Sequence, residues 1–304
     1  MADTNQLNDA LAANYLLVDI EIRSWSGNKT DRSVSKEVLD NKGATKDAGK
    51  FVKNLLAGAA QELDAVHCAA QACRVFLYSK TLPWSGSTDG PKRGARLLAA
   101  TDSIEFLRDL NALKTTHDLA VQALASVWDV RCGEARVNLG GLADEGDYPD
   151  STSVASLFGI RVDLKPVPSM ADFSRINVPS ALADALGQRH AQQAEQQLSN
   201  AMDDLKERLL KELQRIATQM GKVGAGEKTR VYETLITNLQ TVVNLIRTMN
   251  VAGKPELATL ADKIDAQLLA QPITAYKNSP AKAAELAQKA NEIAADAAIE
   301  AIWK

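Results

Sequence analysis

The chain has few aromatic residues, few cysteines and no strong excess of either charge. Phe, Trp and Tyr make up 5% of its 304 residues. The core must therefore be mostly Leu, Ala, Val and Ile, a composition that suits closely packed helices. The three cysteines, Cys68, Cys73 and Cys132, are an odd count. Cys68 and Cys73 stand five apart on a predicted helix and point in different directions. Neither number nor spacing fits a zinc site or a disulfide framework, so buried free thiols are expected. The 35 basic and 38 acidic residues leave a net charge of −3. That excludes a generally basic nucleic-acid binder and leaves room for a local basic patch. No apolar run reaches the roughly 18 residues of a membrane span. The opening MADTNQLNDA has no basic segment followed by an apolar one. No signal peptide and no membrane contact are expected, and the expected location is cytoplasmic.

What the chain does have is helical periodicity. Leu198, Met202, Leu205, Leu209, Leu213, Ile216 and Met220 recur three and four apart, the seam of a helix packed on other helices. The predicted helix runs from Ser180 to Met220 and would reach roughly 60 Å. A second stripe, from Thr45 to Ser79, is expected to form its antiparallel partner. Further helices are predicted over Ile104–Cys132, with Leu107, Leu110, Leu113, Val121, Leu124 and Trp128 inward, over Lys228–Met249, from Pro255 to about Ala270, and from Pro280 through an Ala-rich tail. Two runs alternate with period two instead: Val18, Ile20 and Ile22, and Ile160, Val162 and Leu164. They predict strands over about 16–25 and 160–165, paired as a small antiparallel ribbon lying on the helices. The expected fold is mainly α, an elongated bundle of long antiparallel helices with this two-stranded β-ribbon. An N-terminal part, 1–179, and a C-terminal part, 180–304, are expected to form one continuous domain.

No constellation for chemistry stands out. His67, His117 and His190 fall far apart on predicted helices, without a HExxH motif or a nucleophile motif. Gly221 and Gly226 have Walker A spacing, but Glu227 occupies the lysine position and a helix precedes the loop, so a helix–helix turn is expected. Asp144, Glu145, Asp147 and Asp150 lack the ligand spacing of a calcium loop and read as solvated. No catalytic, cofactor-binding or metal residue is assigned, and the chain reads as a non-enzyme without cofactors.

The best candidate surface is the segment 80–96. Lys80, Trp84, Lys92, Arg93 and Arg96 gather there with only Asp89 opposing. Trp and Arg suit a protein interface, and they also suit single-stranded nucleic acid, by stacking and phosphate contact. The plain alternative is that Trp84 folds back as an apolar cap over the helix end.

Several short motifs carry a resemblance. They are Val18-Asp19-Ile20-Glu21 with Trp25-Ser26-Gly27, Leu82-Pro83-Trp84 followed by Gly94-Ala95-Arg96-Leu97-Leu98, Tyr148-Pro149 with Leu157-Phe158, Pro166-Val167-Pro168 with Asp172-Phe173, and the Asn238-Leu239 region before Asn250. With these the chain resembles a family of uncharacterised helical proteins of tailed phages and integrating elements, over most of its length to about residue 270. The family brings no reaction to carry over. Its members are often encoded beside a MoxR- or CobS-like AAA+ ATPase. The resemblance implies a non-enzymatic interaction or scaffold protein in the bacterial host cytoplasm, oligomeric and accessory to a multiprotein system. The alternative is a single-stranded nucleic-acid-binding accessory of recombination or replication that uses the 80–96 loop.

Overall fold

The computed structural model describes residues 2–84, 94–169, 172–173, 175, 177, 179–250 and 253–296. The chain is mainly helical with a small antiparallel sheet. It forms two compact units, each built from separated stretches. The first takes Met1–Asp19, Leu77–Phe106 and Asp163–Lys304; the second takes Ile20–Phe76 and Leu107–Val162.

The helices are α1 (Ala2–Asn14), α2 (Arg32–Lys42), α3 (Gln61–Lys80), α4 (Ser103–Leu139), α5 (Ser180–Gly224), α6 (Thr234–Thr248), α7 (Pro255–Leu268), α8 (Ile273–Lys277) and α9 (Pro280–Ala295). The long helix α5 anchors the first unit. Leu205, Leu209, Leu213, Ile216 and Met220 are fully buried along it, as their three–four spacing requires. Leu198 and Met202 are only half-buried. Its chief packing partner is α9, not a helix over Thr45–Ser79. The reason is the Ala-rich face of α9, where Ala283, Ala287 and Ala290 are buried and let the two backbones approach closely. A Cβ on Gly224 would lie 2.9 Å from the Cβ of Ala284. Helix α6 starts later than its periodicity predicts, at Thr234, and Tyr232 is left 61% exposed. The residues before it return along the end of α5, where the Thr229 hydroxyl meets the Gln219 side chain at 3.1 Å. Pro255 and Pro280 occupy first turns, where a missing N–H costs nothing.

The two period-two runs are neighbours, as expected, but in a larger sheet. The strands β1 (Tyr15–Arg23), β4 (Leu82–Pro83), β5 (Arg96–Ala99) and β6 (Gly159–Pro166) are ordered β4-β5-β1-β6. Lys165 pairs with Asp19 at 2.7 Å, and Gly159 lies against the Arg23 guanidinium. The two strands therefore run in opposite directions. Glu21, Arg23, Arg161 and Lys165 are exposed, while Ile20, Ile22, Ile160, Val162 and Leu164 are half-buried and Val18 fully so. Strand β5 adds to the other edge of β1, with Leu17 opposite Leu97. All four of its residues are buried, so it shows no alternation for a period-two reading to find. A separate two-stranded antiparallel ribbon joins β2 (Asn28–Asp31) to β3 (Phe51–Asn54).

In the second unit, the stripe read over Thr45–Ser79 is not one helix. Residues 51–54 form β3, and helix begins only at Gln61. Leu55, Leu56 and Ala59 are buried in the intervening turn, so apolar positions that fit a helical period belong to a bend. Gly58 makes that bend at φ +75° against the Asn138 amide, a conformation and a closeness that exclude a side chain. Helix α4 runs past its predicted end at Cys132 to Leu139. Leu63 and Val66 of α3 pack with Leu124, Trp128, Cys132 and Ala135 of α4. Arg131 clamps Glu62 through two bonds, at 2.6 and 2.8 Å. The Trp128 indole donates to the Pro149 carbonyl at 3.0 Å and meets Trp25 edge-on.

The acidic loop is not simply solvated. Asp147 has 2% of its side chain exposed and pairs with both Lys29 and Lys53. Lys53, 6% exposed, also reaches Asp31 and donates to the Leu142 carbonyl. A buried lysine needs such partners, and they tie the ribbon to the loop after α4.

Candidate functional site

The segment 80–96 does not present the surface its composition suggests. Lys92 and Arg93 lie outside the described residues. Trp84 is 7% exposed and belongs to the apolar cluster of Leu82, Leu97 and Ala99. Arg96 is 5% exposed. Its Nε donates to the Thr81 hydroxyl at 2.7 Å, its Nη2 donates to the Thr81 carbonyl at 2.9 Å, and its guanidinium lies over the Tyr78 ring. Arg208 donates to the Tyr78 carbonyl at 2.6 Å and pairs with Asp204. Two arginines thus satisfy carbonyls at the C-terminal end of α3, where helices leave acceptors without partners and favour positive charge. Burial, and then the neighbouring Arg208, pulls Arg96 down to about 10. Trp84 is a core cap and Arg96 a structural arginine. Lys80 is half-buried and lines a groove of about 330 Å³ with Asp102, Glu105, Arg247 and Thr248. Both signs of charge alternate there, and Arg247 is held by Asp262 and Asp265.

The histidines stay apart. His67 lines a groove of about 600 Å³ with Ser24, Ser26, Asp64 and Arg74. Its Nε2 lies 2.9 Å from the Trp25 carbonyl and must donate to it, which fixes the ring against a backbone acceptor. His117 is 1% exposed beside Asp118. His190 packs on Phe173, and burial lowers its pKa. Among the described residues no group of three or more His, Cys, Asp or Glu side chains could hold a metal ion. No helix among them is long and apolar enough to cross a membrane.

The Walker-like glycines close a helix. Gly221 lies inside α5, and Gly226 follows it at φ +77°. The amides of Ala225, Gly226 and Glu227 donate to the carbonyls of Gly221, Val223 and Lys222. This is a C-terminal cap, and those donors are already used.

The site that the sequence reading missed is the outer face of α4. The side of α4 that faces the core is formed by Leu110, His117, Val121, Leu124, Trp128, Cys132 and Ala135. Opposite it runs a second row: Ala112, Thr116, Leu119, Ala123, Ser126, Val130, Gly133 and Val137. The spacing alternates four and three, the period of a helix–helix seam. Every member is exposed, with Leu119 at 59%, Val130 at 62% and Val137 at 82%. None is charged, over about 38 Å of helix. The hydroxyls of Thr116 and Ser126 are turned back onto the carbonyls of Ala112 and Ala123, leaving their carbon atoms outward. Helix α3 repeats the pattern with Gln61, Ala65, Cys68, Ala72 and Val75, all exposed. Cys68 is therefore an exposed free thiol, while Cys73 and Cys132 are buried as expected. A second heptad row in α4 was the available signal. The prediction placed Leu107 and Leu113 inward on a single seam, yet Leu107 is 36% exposed.

Comparison with family models, with curated proteins and with solved structures found no match for this chain.

Proposed function

We propose that this chain is an interaction or scaffold protein, without chemistry of its own, that docks other proteins on the outer face of α4. The observation that carries this reading is the uncharged row on α4. A merely solvated helix face carries charges, and an exposed uncharged row that holds Leu119, Val130 and Val137 fits a surface that another protein covers. The resemblance to proteins of tailed phages and integrating elements supports the same class. It suggests a MoxR- or CobS-like AAA+ ATPase as partner, in the bacterial host cytoplasm. The nucleic-acid alternative is weaker, because burial of Trp84 and Arg96 removes its stacking ring and one of its cations.

The test is purification of the tagged full chain from carrier cells that also hold the ATPase. The ATPase is expected to co-purify at a fixed ratio. It is expected to be lost from a variant with Leu119→Glu and Val130→Glu whose circular dichroism matches the parent. Recovery of the same partner with that folded variant would remove the α4 face from the function.

A further inference from the structure

We propose that the groove of about 600 Å³ between α3 and the segment 22–28 binds a short peptide of three residues with both of its ends free. Its described lining comes from α3 and from the segments 22–28, 54 and 60. Binding there is independent of docking on the α4 row.

One wall is a single face of α3, where Leu63, Asp64, His67, Ala70, Gln71 and Arg74 follow one another at helical spacing. The other wall is every second residue of the chain as it leaves β1: Ile22, Ser24, Ser26 and Asn28. The two walls are tied together. His67 bonds the Trp25 carbonyl at 2.9 Å, and a Cβ on Gly27 would lie 2.8 Å from Leu63 Cδ2. The segment therefore runs antiparallel to α3, with Asn28 toward the Asp64 end and Ile22 toward the Arg74 end. Leu63 and Ala70 are buried along the groove, and its volume lies in the range of small-ligand sites.

The two ends carry opposite charges. Among the described residues neither Asp64 nor Arg74 has an ion-pair partner; Arg74 only donates to the Gln71 side-chain oxygen, at 3.0 Å. They stand ten residues apart, about 15 Å along the helix, too far to meet each other. Allowing about 3 Å for an ionic contact at each end leaves about 9 Å to be spanned. An extended tripeptide covers about 10 Å, a dipeptide about 7 Å and a tetrapeptide about 14 Å. The ammonium of a tripeptide can thus reach Asp64 while its carboxylate reaches Arg74. One carboxylate facing one guanidinium disfavours a ligand of a single charge, such as phosphate.

Between the ends the groove offers neutral groups that match a peptide backbone. The Trp25 carbonyl can only accept, so His67 Nε2 carries the proton and, in the neutral ring, Nδ1 is left to accept from a peptide N–H. Ser26 Oγ accepts from the Asn28 amide, and Asn54 Oδ1 accepts from the Leu56 amide. The Ser26 hydroxyl proton and the Asn54 NH2 then remain to donate to peptide carbonyls. The same bonds hold these side chains in place before a ligand arrives, which lowers the entropy cost of binding.

The test is calorimetric titration of the full chain with alanine peptides. Trialanine should bind, and dialanine and tetraalanine should bind about threefold or more weakly. N-acetylation and C-amidation of trialanine should each weaken binding by about threefold or more. These comparisons leave the protein unaltered, so they decide the matter even if a variant fails to fold. On Asp64→Asn, free and N-acetylated trialanine should bind equally; on Arg74→Gln, the free and C-amidated forms should. No binding of trialanine at millimolar concentration overturns the proposal, as does equal binding of free and blocked forms to the parent. A folded Asp64→Asn or Arg74→Gln that keeps the parent's preference for the free end also overturns it.

Discussion

Asp147 lies between two lysines, and this makes the fold of the second unit sensitive to acid. Bonds from Lys29, then from Lys53, hold its carboxyl below the usual carboxylate range. Its folded pKa is thus lower than its unfolded value of about 3.9. The stabilisation is complete above that value and is lost as pH falls through the depressed one. Lys53 is raised by the same pair, so its share is complete below about 10.4 and lost only as pH rises through the raised value. Asp147→Asn is expected to cost about 3 kcal/mol at pH 7, because it leaves the buried Lys53 short of a partner. Urea unfolding should show this difference shrinking as pH falls through the depressed carboxyl value, where the parent loses the same charge. A difference that stays constant with pH would mean that the ion pair contributes nothing. Composition alone could not reveal this pair. Lys53 and Asp147 are far apart in sequence, and only the ribbon brings them together. Trp84 and Arg96 teach the same lesson in reverse. An aromatic residue beside basic ones suggests a surface in sequence, but the pairing of β4 with β5 draws both inside.

Elements with one buried face were legible, and those buried on both faces or bent were not. Helix α5 follows its leucine spacing closely, and β1 and β6 follow their alternation. Strand β5 is four buried residues without a period, and the 45–60 stretch imitates a helix because a bend can bury the same apolar positions. Ends of helices depend on close approaches that the sequence does not state, and two glycines of α5 show this. A Cβ at Gly221 would meet nothing within 4 Å, whereas one at Gly224 would meet Ala284 of α9 at 2.9 Å, with its backbone at 3.1 Å. Gly221→Ala is expected to stabilise the fold by about 0.5 kcal/mol, through helix propensity alone. Gly224→Ala, three residues on, should destabilise it by about 1–3 kcal/mol, because α9 must be pushed away. Chemical denaturation of the two variants checks the opposite signs. Equal stabilisation in both would mean that α5 and α9 do not pack this closely.

At the scale of the whole molecule, the exposed row of α4 was present in the sequence but hidden behind a better-known pattern. Helix α4 carries two heptad rows on opposite sides, and a reader looking for one core seam merges them. The structure separates them, because only one row meets Leu63 and Val66. An isolated chain must then keep Leu119, Val130 and Val137 in water, at an apolar cost of roughly 25 cal/mol for each Å² left uncovered. A partner that covers the row relieves that cost, and it links stability to the partner's concentration. If the partner binds the folded chain and not the unfolded one, mass action raises the melting temperature as partner is added. For a chain of this length the rise expected above saturation is about 2 °C for each tenfold increase. The variant with Leu119→Glu and Val130→Glu should melt at the same temperature at every partner concentration, because no core contact is lost and no docking remains. Calorimetry over two decades of partner concentration distinguishes the two. A parent whose melting temperature ignores added partner would leave the α4 row without the docking role proposed for it.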